Sequence, residues 1–546
     1  MARTGQGQWA LGYREPLNPV ERIKRDEDGL KVRQRIIDVY SHTGFAGIDP
    51  TDLRGRFRWM GLYTQRAQGI PGGRTAALEP EELEDEYFMM RIRIDGGQLT
   101  TRQLRTIAGL STEFGRDIAD VTDRQNVQLH WVRIEDVPEI WARLDEIGLS
   151  TTEACGDVPR VIIGCPLAGV AGDEVLDSTE ALRSVADRYV GDPAFSNLPR
   201  KYKTSISGCG RHCTNHELND VAFAGVVGPD GQPGFDLWVG GGLSTAPKLA
   251  VRLGAFVPPD RVAEVWAGVT SIFRDYGYRR GRNHNRMKFL VADWGPARFR
   301  EVLESEYLSA PLADGPPVVP CVDRDHLGVQ PQHDGRFTVG AALLAGRTSG
   351  TQLARLADIA DTYGTGLVGT TVQQHVVIRN VAESDVDACV AEVEAAGLRV
   401  RPSVFRRGTL ACIGLEFCKL AMVETKGRAQ WLYQELERRM PDFDEPIGIN
   451  INGCPNSCAR FQVADIGLKG CVVKGPDGED TEGFQVHLGG HMGEVATLGR
   501  KFRGLRITAE GAADYIERVL RGFLARREPG ERFAAYVARA DEEWLT

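Results

Sequence analysis

The sequence predicts an α+β protein built by internal duplication, and three observations carry that prediction. Slid along itself by 249 residues, the chain places Gln103-Leu104 on Gln352-Leu353, Ile107-Ala108 on Leu356-Ala357, Phe114-Gly115 on Tyr363-Gly364 and Gly148-Leu149 on Gly397-Leu398, with no gap. A repeat at one fixed offset constrains the architecture before any single element is read. Each copy also alternates periods. Apolar residues near a 3.6 spacing (Leu104, Ile107, Leu110; Leu353, Leu356, Ile359) give a helix, an alternating run gives a strand, and a second helix ends at Gly148 or Gly397. Beyond each copy lies a further pair of related segments. Ser207-Gly208-Cys209 with Cys213 matches Asn452-Gly453-Cys454 with Cys458, residues 220–223 match 465–468, and Gly234-Phe235 matches Gly483-Phe484.

Taken in order, the chain divides into an N-terminal arm (1–70), a small α/β unit (71–150), a larger unit (151–320), a second small unit (333–400) and a second large unit (401–546). The halves meet in a Pro-rich polar linker, residues 309–332, and a last helix over about 512–527 closes the chain. Hydrophobic residues at 42% and charged residues at 26% are those of an ordinary globular protein. No run approaches the roughly 20 apolar residues of a membrane span. The opening residues lack the apolar core of a secretory peptide, so a cytoplasmic protein is expected. A net charge of −9 argues against nucleic acid as the primary ligand. Eleven cysteines, an odd number without an export signal, favour metal or redox chemistry over a disulfide framework.

The second half alone carries Cys412 and Cys418 with five residues between them and, 35 residues later, Cys454-Pro455-Asn456-Ser457-Cys458. Zinc pairs favour two to four intervening residues, whereas clusters accept more varied spacings, so the wider first pair tilts toward an iron–sulfur cluster. Gly453 permits close backbone approach, and Pro455 with Asn456 stiffens a turn whose amides can point at sulfide. Cys209 and Cys213 sit at the equivalent place in the first half without a C-x5-C before them. The nearest upstream cysteines, Cys155 and Cys165, are nine residues apart, and Cys209 and Cys213 read as remnants or packing residues.

With these motifs the sequence resembles the sirohaem- and 4Fe-4S-containing ferredoxin-dependent sulfite and nitrite reductases, over roughly residues 50–540. The resemblance implies two ferredoxin-like half-domains (71–150 and 333–400) and two larger mixed α/β domains (151–320 and 401–546) for sirohaem and cluster. It makes Cys412, Cys418, Cys454 and Cys458 the cluster ligands, Cys458 the bridge to sirohaem, and Asn456 a cofactor neighbour. Arg91, Arg160, Lys201 and Lys203 match the family's substrate-binding cations. Alternation puts Arg91 with Arg93, and Lys201 with Lys203, on shared strand faces. Arginine grips an oxyanion with a planar fork, while lysine is a point charge able to release a proton. Arg58, the run Arg124, Gln128 and His130 on one strand face, and Asn283, Arg286 and Lys288 resemble segments that cradle the carboxylate-rich macrocycle. Tyr63 and Cys155 fit the positions of a Tyr–Cys thioether found beside the sirohaem in some sulfite-reducing members.

The implied activity is assimilatory six-electron reduction of sulfite to sulfide by a monomer. The substrate sits on the sirohaem iron, Arg91 and Arg160 hold its oxygens, and Lys201 and Lys203 assist protonation. No flavin or nicotinamide domain is left over, so electrons come from a partner, reduced ferredoxin, with Arg500, Lys501, Arg503 and Arg506 as a docking patch. Alternatives are ferredoxin-dependent nitrite reduction to ammonia, a haemoprotein subunit fed by an NADPH-linked flavoprotein, and a non-catalytic zinc-binding module. Gly364-x-Gly366-x-x-Gly369 matches a dinucleotide fingerprint but follows a helix pattern and precedes a strand over 371–378, the reverse of the order pyrophosphate binding needs.

Overall fold

The computed structural model describes residues 17–321 and 323–546. Its strands form four five-stranded sheets, a smaller and a larger one in each half. The smaller sheet of the first half runs Leu62–Arg66, Glu84–Ile92, Val127–Val132, Ala119–Val121, and is completed by Arg347–Thr348 from the second half. That of the second half runs Gly328–Pro331, Phe337–Ala341, Val376–Val381, Leu367–Thr370, and is completed by Gln98–Thr100 from the first. The two exchanged strands are themselves one repeat apart, Gln98 matching Arg347. The copies are therefore interlocked, and their cores merge into one cluster that holds Leu104, Ile107 and Leu110 together with Leu353, Leu356 and Ile359.

The matched helices Thr101–Phe114 and Gly350–Tyr363 start alike. Thr100 accepts from the Gln103 amide, Gln103 reaches back to the Thr100 amide, and Ser349 accepts from the Gln352 amide one repeat later. The single alternating strand expected in each copy is instead a hairpin of two strands. Gln125 (φ 61°) and Gln374 (φ 63°) turn the chain in the left-handed region, and the Thr122 amide closes the first turn on the Asn126 carbonyl at 2.9 Å. Residues 371–375 thus form a turn, and Gly369 lies inside a strand, which removes the dinucleotide fingerprint from any strand-to-helix turn. The chain does not close on the helix Ala512–Arg526. Two short helices, Phe533–Arg539 and Glu542–Leu545, follow it and bury Tyr536 and Leu545 against the second large core.

Both large sheets share one topology: three parallel strands followed by two antiparallel ones. In the first the parallel strands are Pro159–Ile163, Tyr202–Ser207 and Val221–Val227; in the second they are Thr409–Ala411, Ile449–Asn452 and Ile466–Lys474. The loops that begin at Cys165, Cys209, Cys412 and Cys454 each leave the carboxyl end of a parallel strand, the edge where open α/β sheets present ligand crevices.

Candidate active site

Arg91 lies near the end of the strand Glu84–Ile92, laterally paired with Gln128, whose side chain is buried. Its amide donates to Gly61 O at 3.0 Å, an approach that requires glycine: with φ +69°, a Cβ at Gly61 would sit 2.9 Å from Arg91 O and 3.0 Å from Thr151 O. The Arg91 guanidinium donates to Ala154 O at 3.4 Å and meets the Cys155 sulfur. Arg160 anchors its fork on Gly156 O through Nε at 3.1 Å and Nη2 at 2.9 Å. Lys201 and Lys203 flank Tyr202 at the start of the strand Tyr202–Ser207. Burial, followed by the neighbouring charges Arg124 and Arg286, brings the Lys203 ammonium down to about 8. Burial and Lys203 hold Lys201 well below the usual lysine range.

Among the described residues, neither ammonium has a hydrogen-bond or ion-pair partner, and the Arg58 guanidinium has only the Tyr63 ring, 5.9 Å away. Cations kept half-buried without protein acceptors call for an anion in the space they face.

Arg93 does not join Arg91. The strand stops at Ile92, and Arg93 is buried on Asp95 (2.7 Å) and the carbonyls of Pro159 and Arg160 (3.2 Å each). Nor do Arg124, Gln128 and His130 share one strand face, because Arg124 belongs to the hairpin turn. It donates to Val161 O (2.7 Å), Thr204 O (3.1 Å) and Asn219 Oδ1 (2.9 Å), bracing the two strands that carry Arg160 and Lys203. His130 is spent elsewhere: its Nε2 is 2.8 Å from Asp120 Oδ2, its ring stacks on Phe417 at 3.9 Å, and Asp120 also holds Arg347 (2.9 Å) and Lys426 (3.2 Å). Arg286 pairs with Asp220 at 2.8 Å, and Lys288 Nζ donates to Gly242 O, Leu243 O and Ala246 O. Both are therefore buried and partnered; Lys203 feels the charge of Arg286, and Lys288 feels that of Lys203. Asn283 is exposed, and among the described residues no hydrogen bond or ion pair ties it to the basin.

Sequence reasoning overlooked Arg200, whose charge joins Arg160 and Arg286 while Asp157 balances it. Its position directly before Lys201 was the available signal, masked because alternation sends it to the opposite face.

The four thiols Cys412, Cys418, Cys454 and Cys458 are near enough to perturb one another's ionisation. Burial and then Cys458 push Cys412 up to about 12, and burial with the other thiols raises Cys454 still further. Four thiolates can share this space only with cationic metal between them. Backbone amides point at the sulfurs: Gly453 N is 3.2 Å from Cys412 Sγ, and the Asn456 amide faces Cys454. Gly453 is needed for that approach, since its Cβ would meet Ala421 Cβ at 2.9 Å. Cys458 alone is exposed, and it is felt by all three partner thiols and by Arg91, Lys201 and Lys203. It stands where thiols and cations meet. Tyr63 and Cys155 are neighbours here too: burial and then Cys155 push the Tyr63 phenol up to about 12.

Duplicated sheets presenting four thiols and a basin of unpaired cations define a redox protein built around a metal centre and an anionic ligand. Residues 155–312 and 405–546 match the nitrite and sulphite reductase 4Fe-4S domain, and residues 81–147 and 329–396 match the nitrite/sulfite reductase ferredoxin-like half domain. The chain belongs to the nitrite and sulfite reductase family. It is 55% identical over 545 residues to the sulfite reductase [ferredoxin] of Mycobacterium tuberculosis H37Rv, covering 99% of this chain and 98% of that one. It is 36% identical over 500 residues to the ferredoxin–nitrite reductase of Synechococcus elongatus, covering 90% and 94%. The solved structure of the Mycobacterium tuberculosis NirA protein matches it at a TM-score of 0.96 and 54% identity, covering 99% of this chain and all of that one.

The family implies a 4Fe-4S cluster and sirohaem. The residues fit both: four amide-facing thiols for the cluster, and unpartnered Arg58, Lys201 and Lys203 for a carboxylate-bearing macrocycle and its anionic substrate.

Proposed function

We propose that the protein is a ferredoxin-dependent sulfite reductase, taking sulfite to sulfide in a six-electron reduction. The observation that carries this reading is Cys458, the one exposed member of the thiol set and the member that shares an electrostatic environment with Arg91, Lys201 and Lys203. Cys412, Cys418, Cys454 and Cys458 would hold the cluster. Arg58 would meet macrocycle carboxylates, with Arg124, Gln128, Arg286 and Lys288 shaping the wall and Asn456 at the cluster loop. When bound, these groups supply one-electron transfer and an open iron position.

The chain's own residues do the rest. With Gly156 O fixing one edge, the Arg160 fork keeps N–H groups for an oxyanion, and Arg91 approaches from a strand of the smaller sheet. Lys203, near 8, is protonated at neutral pH yet weakly enough held to release a proton to an oxygen leaving as water, and burial with Lys203 also holds Lys201 below its usual range.

Nitrite would meet the same cations, so the second reading is nitrite reduction. The greater identity to the sulfite-reducing relative and the adjacent Tyr63 and Cys155 favour sulfite. A zinc module in the second half is disfavoured, because among the described residues its thiols do not form a group close enough for one ion.

For the donor, Asn452, Lys469, Gln485 and Arg506 lie in one lateral row of the second large sheet, with Lys501 opposite His487. At about 4.8 Å per strand, Arg506 is roughly 15 Å from the strand that ends at the cluster loop. Arg500, Lys501, Arg503 and Arg506 are exposed there for an acidic partner. Turnover of sulfite and of nitrite with reduced ferredoxin tests the reading. Sulfide formation at a higher kcat/KM than ammonia formation is expected, and the reverse order overturns it.

A further inference from the structure

Cys209 and Cys213, expected to be remnants or packing residues, do pack in a small apolar cluster with Leu167 and Val377, but packing does not account for the donors gathered beside them. With Cys165 and His326 they form a group whose ligand atoms all lie within 4.8 Å of one another, and all four side chains are buried. Among the described residues this is the group of His, Cys, Asp or Glu that closes tightly enough for a single ion. Cys165 Sγ is 3.4 Å and Cys209 Sγ 3.8 Å from His326 Nε2. A tetrahedral zinc, with bonds of about 2.3 Å to sulfur and 2.0–2.1 Å to nitrogen, spaces sulfur from nitrogen by about 3.6 Å. A four-iron cube would hold its thiolates much further apart.

We propose that Cys165, Cys209, Cys213 and His326 form a structural zinc site in the first half of the chain, separate from the redox centre of the second. Three thiols and an imidazole are an established zinc donor set, and the three residues between Cys209 and Cys213 are within the usual spacing. A disulfide would use two sulfurs and strand the third beside a buried histidine. The other ring nitrogen, His326 Nδ1, faces Gln330 Oε1 at 3.5 Å, the arrangement that orients a metal-binding imidazole. Zinc with three thiolates carries one negative charge, and the Arg379 guanidinium, held on Pro166 O (3.3 Å) and Ala168 O (3.2 Å), supplies a buried positive one beside it.

The site is the duplicated counterpart of the cluster loops. Ile163 pairs with Ser205 as Leu410 pairs with Asn450, so Cys165 occupies the place of Cys412, while Cys209 and Cys213 occupy those of Cys454 and Cys458. The fourth ligand differs. Six residues after Cys165 stands Ala171 where the second half has Cys418, and the linker between the halves supplies His326. Arg324 and Asp325, directly before His326, pair with Glu217 (2.9 Å) and Arg407 (2.6 Å). The ion would thus pin the linker across both halves.

Metal analysis of tag-free holoenzyme, purified without chelator from zinc-supplemented cells, tests this directly. About one zinc per chain is expected, with a zinc-edge X-ray absorption signature of three sulfurs and one nitrogen. Cys209→Ser, Cys213→Ser and His326→Ala should each lower zinc below about a tenth per chain while cofactor absorbance and sulfite turnover stay within about twofold. Should those variants fail to fold, the wild-type zinc content and absorption signature still decide. Wild-type protein without zinc, a disulfide among Cys165, Cys209 and Cys213 in non-reducing peptide maps, or iron in their coordination sphere would overturn the assignment. None of these results depends on which oxyanion is reduced.

Discussion

Two sets of loops leave the same edge of two sheets with the same topology, and they have become different sites. In the second half the thiols do not, among the described residues, close on a single ion; amides point at two of them, and Cys458 is exposed and shares its electrostatic surroundings with Arg91, Lys201 and Lys203. In the first half the donors close to within 4.8 Å, all are buried, and a histidine from the linker replaces the absent cysteine. A centre that passes electrons onward must keep one ligand accessible and its donors far enough apart for several irons. One that only holds chain segments together does better sealed. Duplication supplied the strands twice, and the position of one donor and the exposure of another separated the two outcomes.

The sharpest way to break that contrast is to exchange the consequences of equivalent substitutions. Cys458→Ser should abolish cofactor absorbance and lower sulfite turnover by about three orders of magnitude. Its positional counterpart in the first half, Cys213→Ser, should leave turnover nearly unchanged and lower Tm instead. Iron content, visible spectra and calorimetry on the two variants check both arms, and equal loss of turnover in both would end the division of labour.

Next in size are the cations that make the second-half thiols into a reaction site. Arg91→Ala or Lys203→Met should each reduce kcat by roughly 10²–10³-fold at neutral pH. The pH dependence follows from the sign of the shift. Lys203 is lowered to about 8, so its donating, protonated form predominates below that value and is lost above it. The wild-type rate should fall as pH rises through about 8. Lys203→Arg, protonated throughout, should keep substrate affinity and lose that alkaline limb. An unchanged limb would assign the proton to another group.

Much of this contrast was legible in the sequence, and its gaps have physical causes. The repeat offset survives in the helix caps Thr100 and Ser349 and in the exchanged strands, because elements that bury a shared core tolerate no slippage. C-x5-C with C-P-N-x-C pointed to the four thiols because the members of each pair are close in sequence. Cys165 and His326 were missed for the opposite reason: they are 161 residues apart and meet only through the sheet register and the path of the linker. His130 was misread because even spacing cannot reveal that Asp120, on the other arm of an unexpected hairpin, claims its Nε2.

A smaller effect separates the halves at the donor side. Lys501→Glu with Arg506→Glu should raise the KM for ferredoxin by about tenfold at low salt with kcat little changed, the difference shrinking at high ionic strength. Steady-state titration at two salt concentrations reads it. The corresponding strand of the first half, Val251–Val257, carries a single arginine, Arg252, which pairs with Asp236 at 2.7 Å, so charge reversal there should leave the ferredoxin KM alone.

The smallest expected effect lies where the two copies interlock, and there too the duplication is used in one direction. Arg105 reaches Asp358 (2.8 Å) and Asp361 (2.6 Å) on the partner helix, but the positions matching Arg105 and Asp361 are Ala354 and Thr112, so no reciprocal pair exists. All three side chains are about half exposed, and screening limits such a network to less than about 1 kcal/mol. Although burial opposes it, the Thr101 hydroxyl and Arg105 hold the Asp361 carboxyl below its usual range. A carboxyl lowered on folding stabilises above its unfolded value, near 4, and that contribution is lost as pH falls through the folded value. Arg105→Ala should therefore lower Tm by no more than about 2 °C at neutral pH, less in high salt, and not at all below about pH 3. A larger loss, insensitive to salt, would mean that the interlock depends on this ion pair and not on the apolar seam of Leu104, Ile107, Leu353 and Leu356 beneath it.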